Sequence, residues 1–217
     1  MAVTRNQSKG DSVTSTPMKS PSPSSSYSGR KSVRSRIDPT TNLTFGSIVT
    51  IGIVASIILQ VSLAYLVMND KIKLNGKTTV QSLMTLGNRL EYILRFQAIH
   101  VVWLVITTAL VVFSRLSTGA VNPLEGFENL VISAKQVHTN SMEQFLLIFV
   151  NQLILATNLA PDIFIRVIPL LNILFAISRV LFWLGYPKYR TCGFFSGMTP
   201  ITLTTIYNAY ALINFLF

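Results

Sequence analysis

Two groups of polar side chains interrupt segments of the sequence that are otherwise strongly apolar. Asn140 and Glu143 are three residues apart, a spacing that places both on one face of a helix. Arg179 and Tyr186 stand at positions i and i+7 of a later segment, which also share one helical face. Polar groups within an apolar helix are costly unless they face a partner helix or a wet cavity. These residues are therefore the first candidates for a binding or catalytic site.

The cations beside these segments indicate what such a site would bind. Arg115, Lys135 and Arg190 stand at the ends of apolar segments, where an orientation count places them at the same membrane boundary as the amide and the carboxylate. Arginine pairs with carboxylates through two parallel hydrogen bonds. Several cations with one amide and one carboxylate suit a small zwitterionic or anionic ligand, such as a peptide-like molecule with two carboxylates and an amine.

A purely structural interpretation of the same residues stays open. Glu143 and Arg179 would then pair between helices, and Asn140 would make an interhelical hydrogen bond. Arg190 would be an ordinary positive flank of a membrane span. A metal site is not predicted, because the single cysteine, Cys192, has no His or Cys cluster at metal-ligand spacing. Motifs of hydrolases and kinases are also absent from the sequence.

The elements that position these residues are membrane helices. The chain has 217 residues, of which 50% are hydrophobic and only 12% are charged, about half the charged fraction of a soluble domain. The apolar residues form runs long enough to cross a hydrocarbon core of about 30 Å. The fold class is therefore an all-α integral membrane protein with five transmembrane helices. These are the predicted spans: 45–68, 92–114, 141–159, 163–186 and 191–217.

The basic residues predict the orientation of these spans. Seven of the eighteen Lys and Arg residues precede the first span, within a Ser-rich segment (1–43) that is predicted to be a disordered cytosolic tail. An N-terminus inside places eleven basic residues in the cytosol and four outside, as the positive-inside rule requires. The net charge of +10 is thus explained by membrane topology, and a nucleic-acid partner is not expected. Asn42 begins a sequon that should stay unglycosylated.

Short sequence blocks resemble motifs of the MAPEG family, the membrane-associated proteins in eicosanoid and glutathione metabolism. The block V-H-T-N-S-M-E, which contains Asn140 and Glu143, is similar to a second-helix motif that helps to hold glutathione. The block S-R-V-L-F-W-L-G-Y, which begins at Ser178, resembles the family's A-R-x-x-Y-x-x-G-Y helix. R-T-C-G-F from Arg190 stands in place of R-x-x-G-F, and Arg115 falls where the family keeps an arginine at the end of its first helix.

The resemblance implies a homotrimer of four-helix membrane domains (92–217), with one extra N-terminal transmembrane helix (44–68). It places glutathione, the implied cofactor, between subunits near the cytosolic face. Arg115 and Arg190 become candidate catalytic residues that would stabilise a thiolate. The implied glutathione-binding residues are Asn140, Glu143, Arg179, Tyr186 and Gln136. The sequence departs from the family pattern at Gln136, where an arginine is usual, and at Phe182, which lacks a hydroxyl.

Two functions of different class follow from this resemblance. The first is a glutathione-binding membrane regulator that acts through a membrane-protein partner in endoplasmic reticulum, Golgi or endolysosomal membranes. The second is a glutathione-dependent transferase or peroxidase that takes a lipophilic substrate from the bilayer. The retained Asn140, Glu143 and Arg179 favour glutathione binding in both cases, whereas Gln136 and Phe182 argue against efficient turnover.

Overall fold

A computed structural model of the protein describes residues 45–74, 76–119 and 131–217, and confirms an all-helical fold for them. The long helices are α1 (Phe45–Met68), α2 (Leu86–Thr118), α3 (Ile132–Asn158), α4 (Pro161–Gly185) and α5 (Thr191–Leu216). A short 3-10 helix, Val80–Leu83, precedes α2. The predicted tail, 1–43, and most of the connection between α2 and α3 lie outside the described residues.

Three of the described helices are long and apolar enough to cross a membrane. They are α1, α2 and α4, with 24, 33 and 25 residues respectively. At about 1.5 Å per residue each exceeds a hydrocarbon core of about 30 Å. The other two, α3 and α5, have 27 and 26 residues, which is long enough, but neither contains a continuous stretch as apolar as those of α1, α2 and α4. Several membrane helices are therefore established, and the five-span topology stays a prediction.

The helix bounds agree with the predicted spans only where the apolar stretch reaches both ends of the helix. The first helix has the predicted bounds, but α3 begins at Ile132 instead of residue 141, and α2 begins six residues before position 92, at Leu86. A helix continues beyond the apolar region as long as its backbone groups stay paired and its ends are capped. Thr85 accepts a hydrogen bond from the Asn88 N–H at the start of α2, and Gly119 ends this helix with a positive φ of 72°.

The fourth helix, α4, is the central element of the bundle. It contributes to each of the three buried apolar clusters: Phe164 packs with residues of α2 and α3, Phe175 with α3 and α5, and Leu170 with α1. More than half of the residues in the most apolar stretch of α4 are buried, whereas most residues in the corresponding stretches of α1 and α2 are not. The other helices therefore pack around α4, and its polar residues Asn172, Ser178 and Arg179 are buried.

Buried amides join α2, α3 and α4 near the middle of the bundle. Gln97 donates to Gln152 Oε1 at 2.8 Å, and its own Oε1 lies 2.7 Å from His100 Nδ1. Asn172 of α4 donates to the same Gln152 oxygen at 3.3 Å. His100 is fully buried beside the Phe175 ring. These contacts fix the relative rotation of three helices, because an unpaired amide in an apolar interior is costly.

A proline inside α4 is compensated by a tyrosine of α2. Pro169 has no N–H, so the carbonyl of Ile165, four residues earlier, loses its usual helical partner. The hydroxyl of Tyr92 donates to this carbonyl at 3.2 Å. The hydrogen bond satisfies a buried backbone oxygen and joins α2 to α4.

The first helix packs against the beginning of α5. A Cβ atom on Gly52 would lie 3.0 Å from the Thr191 Cβ, so the two helices approach closely there. One turn later, the buried Ser56 hydroxyl accepts a hydrogen bond from Gln60 at 2.8 Å. As a result, α1 covers the first turns of α5.

Candidate functional site

The polar residues singled out above meet at one end of the bundle. The beginnings of α1, α3 and α5 and the end of α4 line one cavity there, and the ends of α2 and α4 line a second one with α3. The alternating direction of the helices brings these ends together. Residues widely separated in the sequence thus share one boundary of the bundle.

Arg179 is the centre of the polar contacts at this boundary. Its guanidinium is completely buried and donates from Nη1 to Asn140 Oδ1 and from Nη2 to Gln144 Oε1, both at 2.7 Å. A longer contact of 3.4 Å joins Nη2 to the Gly193 carbonyl. The rings of Phe175 and Phe182 both lie beside the guanidinium, with centroids 5.4 and 5.5 Å from its carbon. This arginine therefore ties α4 to α3 and α5.

Gln144 is a site residue that the sequence interpretation missed. It is fully buried and accepts one of the two short hydrogen bonds from Arg179. Its position four residues after Asn140 was the available signal, since residues at i and i+4 share a helical face. Space for this contact comes from Gly197 of α5, where an added Cβ would lie only 2.3 Å from Gln144 Oε1 and 2.6 Å from Arg179 Nη2.

Glu143 does not pair with Arg179. Its side chain is exposed on α3, and the hydrogen bonds that the structure gives Arg179 within the described residues all go to neutral oxygens. The alternative of an interhelical Glu143–Arg179 ion pair is therefore wrong for this chain. The reason is geometric, because the rotation of α3 that turns Asn140 and Gln144 toward α4 turns Glu143 outward. The predicted interhelical hydrogen bond of Asn140 is confirmed.

Beside this buried cluster lies a cavity of about 300 Å³, which we name the α1-side cavity. Its lining residues are Val49, Gln136, Asn140, Phe182, Arg190, Thr191, Phe194 and Phe195. Arginine only donates hydrogen bonds, so Asn140 must present its oxygen to Arg179, which leaves its amide N–H groups for another acceptor. The cavity thus combines amide donors with the guanidinium of Arg190. Such a donor set suits a carboxylate.

Arg179 lies behind this cavity and not in its wall. It orients Asn140, which does line the cavity, and its own surface is not accessible. Ionised groups buried away from water require compensating hydrogen bonds, which the two amide oxygens provide. In the single chain, Arg179 is therefore a positioning residue for Asn140.

Tyr186 and Arg190 connect the α1-side cavity with the second cavity. The guanidinium carbon of Arg190 lies 5.7 Å from the centroid of the Tyr186 ring, a cation–π contact. Tyr186 in turn packs on Phe182, with the ring centroids 5.8 Å apart. Tyr186 lines a cavity of about 370 Å³ between α2, α3 and α4, which we name the α2-side cavity. The two aromatic rings form part of the wall between the cavities.

Of the two candidate thiolate-stabilising cations, the structure brings only Arg190 to the α1-side cavity. Arg115 is half-buried in the last turn of α2 and is not among the described residues that line either cavity. Gln136 lies in the wall one turn before Asn140. The predicted set is thus divided: Gln136, Asn140 and Arg190 line one cavity, Tyr186 lines the other, and Arg179 supports from behind.

Comparison with known proteins places this chain in a family. The model of the MAPEG family matches residues 49–210, which includes most of α1 as well as α2 to α5. Transmembrane protein 79 of Mus musculus is 32% identical over 131 residues, which cover 59% of this chain and 33% of the relative. The same protein of Bos taurus gives the same identity and coverage. The alignment thus spans about a third of these relatives, and no solved structure matches the chain. This chain belongs to the MAPEG family of membrane proteins.

Proposed function

We propose that the protein is a glutathione-binding membrane regulator, related to Transmembrane protein 79, whose α1-side cavity takes the tripeptide. The observation that carries the proposal is the joint lining of one cavity by Asn140 and Arg190, with Arg179 holding Asn140 in place from behind. Glutathione has two carboxylates, which match the guanidinium and amide donors, and the aromatic rings of Phe182 and Phe194 offer apolar surface beside them.

The cavity lining can bind glutathione although one arginine that is usual in the family is replaced. Gln136 supplies an amide where the family usually has an arginine, and it lines the cavity together with Asn140. Glu143 is exposed on the outer face of α3 and is available to a neighbouring copy. In a homotrimer, as the family membership suggests, such a face would lie between subunits. Val49 of α1 closes one side of the cavity, so much of the proposed site is formed by a single chain.

The alternative function is a glutathione transferase or peroxidase that acts on a lipophilic substrate. Arg190 supports it, because a cation that lines the cavity can lower the pKa of a bound thiol. Phe182 weighs against it, because no hydroxyl stands at this place in the cavity wall. We therefore propose binding as the primary property, with regulation through a membrane-protein partner in secretory or endolysosomal membranes.

Thermal unfolding of the purified protein with glutathione tests the proposal. A ligand that binds only the native state stabilises it by about 2.7 kcal/mol at a hundredfold excess over Kd, so Tm should rise with millimolar glutathione. Arg190→Ala should remove most of the rise. Lys188→Ala is the matched control, because it removes a cation from the same connection without touching the cavity lining, and it should keep the rise.

The outcomes separate binding from catalysis. An unchanged Tm at millimolar glutathione would sink the proposal, and a rise that persists in Arg190→Ala would mean that the tripeptide binds elsewhere. Conjugation to a hydrophobic aryl halide and reduction of a lipid hydroperoxide then test the alternative. Turnover that depends on Arg190 would favour the enzyme over the regulator.

A further inference from the structure

The α2-side cavity lies at the same end of the bundle as the candidate site and takes no part in the proposed glutathione binding. Its volume is about 370 Å³. Its walls belong to α2, α3 and the last turns of α4. The lining residues are Thr107, Leu110, Phe113, Ser114, Ser117, Ser133, Ala134, Val137, Trp183 and Tyr186.

The lining combines hydroxyl groups with apolar side chains. Four Ser and Thr residues and one Tyr line it, and no charged side chain is among the described lining residues. The hydroxyls of Ser114 and Ser133 make no side-chain hydrogen bond within the described part of the chain. Serine in a helix commonly donates to the carbonyl one turn back. Neither of these two hydroxyls does so within the described residues, so both can bond to a bound molecule.

The cavity opens at an exposed apolar part of the bundle surface. Phe113 and Trp183, which line it, are 69% and 42% exposed, and both belong to helices that are apolar enough to cross the membrane. They stand in the last turns of α2 and α4, close to the membrane boundary. A molecule that enters from the bilayer would therefore place its apolar part beside these rings and its polar end toward the hydroxyls.

We propose that the α2-side cavity binds an uncharged lipid whose polar end carries hydroxyl groups, of the monoacylglycerol class. Among the described lining residues a charged headgroup would find no opposite charge, and desolvating it without a partner is costly. A hydrocarbon chain alone would offer no hydrogen bond to the half-buried Ser114 or to the exposed Ser133. This inference goes beyond the proposed function and does not depend on glutathione binding.

Tryptophan fluorescence offers a direct test, because the sequence has only two Trp residues and they contact each other. Trp183 lines the cavity, and Trp103 lies 6.2 Å from it, centroid to centroid. The full chain is placed in phosphatidylcholine nanodiscs and titrated with a monoacylglycerol that carries bromine on its acyl chain. We expect saturable quenching. The fatty acid with the same brominated chain, which is charged, should quench without saturation.

Two variants connect the quenching to the cavity. Ala134→Phe fills the cavity and should abolish the saturable quenching, whereas Ala98→Phe, on an exposed part of α2, should leave it unchanged. Ser114→Ala keeps the space but removes one hydroxyl, and it should weaken binding about three- to tenfold. It also serves if Ala134→Phe does not fold.

Three results would overturn the inference. They are equal, non-saturable quenching by all brominated lipids, tighter binding of the fatty acid, and unchanged affinity in both Ala134→Phe and Ser114→Ala. Saturable quenching in a protein whose Tm does not respond to glutathione would support this site while contradicting the proposed function. The two proposals therefore fail separately.

Discussion

Arg179 Nη1 donates a hydrogen bond to Asn140 Oδ1 across 2.7 Å, and this contact joins the end of α4 to the beginning of α3. The guanidinium is completely buried, whereas the amide reaches the α1-side cavity. The arginine therefore orients a cavity residue without lining the cavity. Stability and binding should depend on it together, and the predictions below test that dependence and the surrounding fold.

Arg179→Met should destabilise the protein and abolish glutathione stabilisation. The substitution leaves the oxygens of the half-buried Asn140 and the buried Gln144 without their donors, and an unsatisfied buried acceptor costs about 1–3 kcal/mol. Chemical unfolding in detergent micelles measures the loss. Arg95→Met, which breaks an exposed ion pair with Glu91, is the control and should change stability by less than about 1 kcal/mol. Equal effects of the two substitutions would refute the buried role of Arg179.

Gly197→Ala should disrupt the same cluster from the side of α5. The new Cβ would lie 2.3 Å from Gln144 Oε1, too close for any contact, so the Arg179 hydrogen bonds must shift. We expect a lower Tm and a weaker response to glutathione. Gly87→Ala is the control, because nothing lies within 4 Å of its Cβ, and alanine in a helix is favoured over glycine by about 0.5–1 kcal/mol. A harmless Gly197→Ala would mean that α5 is farther from α3 than described.

Tyr92→Phe should destabilise the wild-type protein by about 1 kcal/mol, since it removes the donor to the Ile165 carbonyl. In a Pro169→Ala background the helix itself supplies an N–H to that carbonyl, so the loss should become smaller. A double-mutant cycle by chemical unfolding measures the difference, and coupled neighbours commonly show about 0.5 kcal/mol or more. Strict additivity would contradict the compensation of Pro169 by Tyr92.

The five-span topology predicts that the two chain ends face opposite sides of the membrane. Epitope tags at each end, probed after selective permeabilisation of the plasma membrane, should show the N-terminal tag in the cytosol and the C-terminal tag protected. Asn42 should carry no glycan, because its sequon lies on the cytosolic side. Two accessible tags would require an even number of spans and would place α3 or α5 in a different role.

The apolar helices could be predicted from the sequence because crossing the bilayer requires a continuous run of apolar residues, which is visible in the composition of a single segment. The bounds of α1 agree with its charge-free run, since every backbone group in lipid must be paired within the helix. The start of α3 could not be predicted in this way. Its first turns, from Ile132 to Asn140, are mostly polar and precede the apolar stretch. Hydropathy therefore places the start of the span later than the start of the helix.

In the candidate site, too, some features could be predicted from residue types and others depended on how the helices pack. Types and spacing alone brought Asn140, Arg179 and Arg190 to one boundary, because alternating spans must return to it. Only the tertiary structure decided that Gln144, and not Glu143, receives the second hydrogen bond from Arg179, and that α1 covers the start of α5. Those outcomes depend on how each helix rotates about its axis. Contacts between side chains distant in the sequence set that rotation, and periodicity within one helix cannot supply it.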